Sequence, residues 1–160
     1  MCRLAFLVTL LVPLALGPAL AQGTGVGFGR GDFDNGAPVE VAADELEVDQ
    51  ATGRAALTGN VVIAQGDLRL SANRVDVAYA ADEPRRIERI VATGNVIIVA
   101  GDDAAEGQEA TYELGSSQIV LTGDVLVTQQ GATLAGDRLA VNLESGSGTV
   151  TGRVRTTLQP

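Results

Sequence analysis

Asp102, Asp103 and Glu106 are three acids close enough in sequence to do chemistry together. Neighbouring carboxylates can divide general acid and base roles or gather a calcium ion. These three sit in "AGDDAAEG", a turn-forming stretch where solvated acids are expected. Calcium loops also need a longer pattern of oxygen ligands than this. The sequence has no histidine, and its one cysteine, Cys2, lies in the N-terminal apolar segment. Ser-His and Cys-His nucleophiles and His-built zinc sites are therefore unavailable. The glycines of "QGTGVGFGRGDFDNG", residues 22–36, include GxGxxG-like spacings. A dinucleotide fingerprint, however, follows a strand and opens a helix, and no strand is expected upstream of this one. The residues point away from an enzyme, and no cofactor or metal site is expected.

Charge and the N-terminus narrow the class further. The chain carries 20 acidic and 11 basic residues, for a net charge of −9. Phosphate contacts need clustered Lys and Arg, so no nucleic-acid partner is expected. The acidity fits a charge that keeps an exported protein soluble. Arg3, the apolar run from Leu4 to Leu16 and the small-residue site Ala19-Leu20-Ala21 together form a secretory signal peptide, 1–21, cleaved after Ala21. The run is shorter than the roughly 20 residues a spanning helix needs. No cysteine follows it to accept a lipid, and loss of Cys2 leaves a mature chain without disulfides.

Behind the signal, residues 22–37 read as a flexible, Gly-rich leader, and 38–160 as one domain of a size that can bury its own core. From Pro38 onward Val, Leu and Ile alternate with polar residues, and Gly, Asp, Asn and Ser recur at turn positions. That alternation predicts strands at about 39–49, 54–65, 67–79, 87–100, 105–114, 118–129, 132–143 and 148–158.

The strands repeat. T-G-x-V occurs at Thr58, Thr93, Thr122 and Thr151, at intervals of 35, 29 and 29. A partner element occurs at "ADELEV" (43–48), "ANRVDV" (72–77), "GQEATY" (107–112) and "GDRLAV" (136–141). Its polar second residue precedes the next T-G-x-V threonine by 14 residues in three copies and by 20 in the second, where "AADEPRRIER" carries an insertion. The unit is a two-strand repeat of 29 residues present four times. Leu68, Leu70 and Ala72 share a phase that Val75 and Val77 miss by one residue. A slip of one turns apolar side chains to solvent unless a bulge near Asn73-Arg74 restores them. Eight long strands, each bent in the middle, are expected, in effect about sixteen short ones.

From Pro38 on there is no Phe or Trp, and Tyr79 and Tyr112 are the sole aromatics. A thin, fully packed aliphatic sandwich fits that composition. A pair of splayed sheets holding an apolar ligand between them fits it as well.

"PVEVAAD" at 38–44, "LTGNVVIAQGDLRLSANRVDV", "RIVATGNVIIV" and "YELGSSQIVLTGDVLV" resemble the OstA-like, or LptA, family of periplasmic lipopolysaccharide-transport proteins, over about residues 38 to 158. The resemblance implies an all-β fold: a bent β-jellyroll, open at both ends, with antiparallel strands built from the four repeats. It implies a periplasmic carrier that shields the acyl chains of lipid A in an apolar groove between inner and outer membrane. The partners it implies are lipopolysaccharide, an LptC-like jellyroll at the inner membrane, an LptD-like jellyroll at the outer membrane, and further copies of the chain joined head to tail. Alternation, together with the family's inward positions, places Val39, Val41, Leu57, Val61, Ile63, Val96, Ile98, Tyr112, Leu114, Leu121, Val125 and Val127 on the lining. Unpaired edges are expected near Val39 to Val48 and in "TVTGRVRTTL". There Arg153 and Arg155 either block pairing or set its register against Glu45 and Glu47. An LptC-like adaptor or a non-catalytic β scaffold without a lipid is the alternative reading.

Overall fold

Alternating apolar side chains can be buried together only if strands pair, and here they pair antiparallel throughout. The computed structural model describes residues 23–29, 36–83 and 85–158. The strands are β1 (Thr24–Gly27), β2 (Val39–Ala42), β3 (Glu45–Asp49), β4 (Arg54–Gln65), β5 (Leu68–Tyr79), β6 (Ile87–Ala100), β7 (Asp103–Glu113), β8 (Gln118–Gln129), β9 (Ala132–Asn142), β10 (Ser147–Thr151) and β11 (Arg155–Leu158). A 3₁₀ turn, Leu114–Ser116, links β7 to β8. The sheet runs β1-β10-β9-β8-β7-β6-β5-β4-β2, with β3 also on β4 and β11 also on β9. It does not close on itself, which matches the expected open jellyroll. Among the described residues the eight expected bent strands correspond to β2 with β3, to β4 through β9, and to β10 with β11; β4 to β9 run through their bends without a break, and β1 is added.

The repeated motif builds those bends. In each T-G-x-V the glycine is left-handed, with φ of 78° at Gly59, 80° at Gly94, 86° at Gly123 and 77° at Gly152. The next residue is left-handed too: Asn60 at 46°, Asn95 at 48°, Asp124 at 48° and Arg153 at 43°. In three strand pairs the motif sets two residues against one: Gly59-Asn60 against Asn73, Gly94-Asn95 against Gln108, and Gly123-Asp124 against Asp137. At the two ends of the sheet the same line continues as backbone bonds from Asp44 N–H to Gly59 C=O, 2.9 Å, and from Asp137 N–H to Gly152 C=O, 3.0 Å. Bulges of this kind bend a strand and sharpen its twist.

Their consequence is the restored phase. Leu68, Leu70 and Ala72 are buried on one side of Asn73, and Val75 and Val77 on the other. Each long strand is thereby folded into two halves that face each other. One half contains β2 and β11, and the other contains β3 and β10. Ile63, Leu70 and Ile98 from the first meet Ile90, Tyr112 and Ile119 from the second across the core.

One expectation is corrected. Residues 22–37 are not simply a flexible leader: Thr24–Gly27 form β1, paired antiparallel with β10, and Phe28 is 2% exposed in the core. Alternate glycines concealed the strand, since only Thr24 and Val26 mark its inward face. The expected signal peptide, 1–21, and its expected cleavage site lie outside the described residues.

Candidate functional site

The inward faces of the two sheet halves form one apolar strip from the β2–β3 edge to the β10–β11 edge. Of the residues expected on the lining, Leu57, Val61, Ile63, Val96, Ile98, Tyr112, Leu121, Val125 and Val127 are buried on that strip. Val39 and Leu114 are partly buried against it. Through the middle the halves are in contact. Val125 and Ile98 are 1% exposed and Leu121 and Val127 0%, and the residual cavity beside Tyr112 holds about 20 Å³. That is room for about one water.

At the β2–β3 edge the strip opens. Val41 lies opposite Ile63, Leu46 opposite Leu57 and Val48 opposite Ala55, so all three point inward. Yet they remain 47%, 59% and 60% exposed. They form an apolar mouth continuous with the buried interior. Leu46 and Val48 are absent from the lining expected from sequence, although the "ELEV" alternation carries the signal: its outward acids mark an edge, and its inward partners follow from period two. Leu68, Leu70, Ile90 and Ile119 line the strip as well.

Little polarity enters the strip. Among the described residues no buried side-chain nitrogen or oxygen lacks a partner. Gln65 donates to Ala37 C=O at 3.1 Å, and Ser117 Oγ lies 3.1 Å from a Glu144 carboxylate oxygen. Burial raises the Tyr112 hydroxyl above its ordinary pKa, and the nearby Glu144 charge adds to the effect. The charged pairs Arg74–Asp76 (2.6 Å), Arg89–Glu113 (2.5 Å) and Arg153–Asp137 (2.5 Å) are all solvent-accessible. An interior so lined is chemically matched to hydrocarbon.

The polar candidates lie elsewhere. Asp103 accepts a hydrogen bond from Gly29 N–H at 2.8 Å, which makes it a tie for the leader. Among the described residues no three acids, histidines or cysteines are grouped to hold a metal ion. Arg153 is bound to Asp137 through both Nε and Nη2, at 3.0 and 2.5 Å, so it is committed within its own chain. Arg155 is exposed on β11, in the β2 half, whereas Glu45 and Glu47 are on β3 in the other half. Glu40, on β2, lies on the same half as Arg155.

A family model described as LptA/(LptD N-terminal domain) LPS transport protein matches residues 40–147. The chain belongs to this family. An uncharacterized protein of Rhizobium meliloti is 30% identical over 89% of this chain and 82% of its own. The lipopolysaccharide export system protein LptH of Pseudomonas aeruginosa is 27% identical, over 93% of this chain and 89% of its own. LptA of Escherichia coli K12 is 27% identical over 68% of this chain and 60% of its own. The crystal structure of LptH, described as the LptA-homologous periplasmic component of the lipopolysaccharide transport device, superposes with a TM-score of 0.72. It covers 79% of this chain and 99% of its own at 22% identity, a likeness of fold.

Proposed function

We propose that the chain is a periplasmic carrier of lipopolysaccharide, a segment of the bridge along which lipid A passes from inner to outer membrane. The observation that carries this reading is the exposed apolar set Val41, Leu46 and Val48, whose strand partners Ile63, Leu57 and Ala55 belong to the buried strip between the sheet halves. Exposing an acyl chain of about a dozen carbons costs roughly 10 kcal/mol at about 0.8 kcal/mol per CH₂. A groove of near-equal apolar contacts offsets that cost at every position and gives no direction of its own, so the drive comes from outside this chain. In this reading the two halves part about the line of left-handed bends, and acyl chains replace the contacts that Ile98, Leu121 and Val127 make in the closed state. Lipid A sugars and phosphates stay outside. An LptC-like jellyroll upstream, an LptD-like jellyroll downstream and head-to-tail copies between them complete the bridge, and the N-terminal segment directs export with cleavage after Ala21.

The closed middle favours a second reading, an adaptor or scaffold of the same fold with no lipid of its own. Direct binding of residues 22–160 to lipopolysaccharide separates the two, with lipid A and a delipidated saccharide as competitors. Competition by lipid A alone supports the carrier; absence of binding at micromolar protein returns the scaffold.

A further inference from the structure

The leader is built into the molecule at the place where a second copy would join. Every neighbouring pair from β3 through β4 to β10 is antiparallel, so β10 runs opposite to β3, and β1, antiparallel to β10, runs the way β3 does. In a stack of identically oriented copies, the next strand on β10 is β3 of the second copy. In the single chain β1 stands there. Its inward residues, Thr24 opposite Val150 and Val26 opposite Gly148, take the places that Leu46 and Val48 of a second copy would take.

Composition makes β1 a weak occupant of this edge. Two of its four residues, Gly25 and Gly27, contribute no side chain, and glycine loses more conformational freedom on ordering than other residues. Its hold comes chiefly from Phe28 and Gly29, immediately C-terminal to the strand. Phe28 is buried, its N–H donates to Gly146 C=O at 2.8 Å, and Gly29 N–H donates to Asp103 Oδ2 at 2.8 Å. Gln129 also donates to Gly27 C=O. These contacts join the turn near Gly146 on one half of the sheet to the Ala100–Asp103 turn on the other. The edge of β3, by contrast, is one residue longer than β1, with Leu46 and Val48 largely exposed.

We infer that β1 is an intramolecular stand-in for β3 of a second copy, covering the docking edge of β10 in the single chain and yielding it when copies join head to tail. The inference rests on the bridge reading, and it assigns the leader a regulatory part in assembly.

Gly25 and Thr149 lie directly opposite each other, so a Gly25→Cys/Thr149→Cys pair can lock the cap as a disulfide. Residues 22–160 contain no other cysteine. Phe28→Asp loosens the cap instead. Mass against concentration is read by light scattering for the parent, the loosened chain, and the locked chain before and after reduction, with lipid A binding measured on the same samples. Phe28→Asp is expected to lower the concentration at half-association at least tenfold. The oxidised pair is expected to raise it at least tenfold, with reduction restoring the parent value. Equal association of the oxidised and reduced forms overturns the inference, as does a constant monomer in every form. Retained lipid A binding in that event leaves the carrier reading standing. Cap-dependent association without lipid A binding upholds the cap and removes the carrier reading.

Discussion

Asp137 and Arg153 meet at 2.5 Å across the last bend of the sheet, beside the left-handed Gly152 that ends the fourth repeat. The Arg153 hydrogen bond holds the Asp137 carboxyl below its ordinary pKa. A carboxylate with a lowered folded pKa adds stability that is present above the unfolded value, near 3.9, and is lost as pH falls through the folded value. Urea unfolding between pH 6 and 2 is therefore expected to show a steeper acid loss for the parent than for Asp137→Asn, the parent's advantage at pH 6 disappearing as the curves converge below about pH 4. Both groups are exposed, so added salt should shrink the difference. Parallel curves would remove the pair from the stability of the bend.

The bends themselves are tested at Gly94. Its φ is +80°, and a Cβ there would lie 2.7 Å from Asn73 Nδ2. Gly94→Ala is expected to cost about 1–3 kcal/mol in denaturant unfolding, from the strained backbone and the collision together. Asn95→Gly, which frees a residue already left-handed, should stay within about 1 kcal/mol of the parent.

Core and mouth make opposite predictions. Leu121 is fully buried, and Leu121→Ala should cost about 2–5 kcal/mol. Val48 is 60% exposed, so Val48→Asp should change stability by less than about 1 kcal/mol. It should nonetheless weaken lipid A binding about tenfold, by placing a charge in the apolar mouth. Wild-type affinity in Val48→Asp would count against the mouth as the way in for acyl chains.

The free half of the C-terminal edge is open to the same kind of test. Arg155 and Glu40 lie outward on β11 and β2, the two edges of one half. Arg155→Glu should weaken head-to-tail association by a few-fold, and Glu40→Arg in the same chain should restore it. Additive losses in the double variant would show that the two residues do not meet.

Much was legible without a structure because repetition and period two are local properties of the chain. T-G-x-V at Thr58, Thr93, Thr122 and Thr151, with the slip between Ala72 and Val75, determined a bent antiparallel sheet and most of its inward face, though the extra residue falls at Gly59-Asn60, opposite Asn73, and not at Asn73-Arg74. Side-chain alternation decides facing wherever a strand forms, whatever lies across from it. Three matters were decided by tertiary structure. Arg153 turned back to Asp137, because the bend brings residues 16 positions apart into contact. Val41, Leu46 and Val48 stayed exposed while Val61, of the same chemistry, was buried, because exposure depends on whether an opposing sheet half covers the strand. Thr24–Gly27 became a strand because the unpaired edge of β10 was available to supply its hydrogen bonds, a partner more than a hundred residues away that no local pattern in a glycine-rich leader can announce.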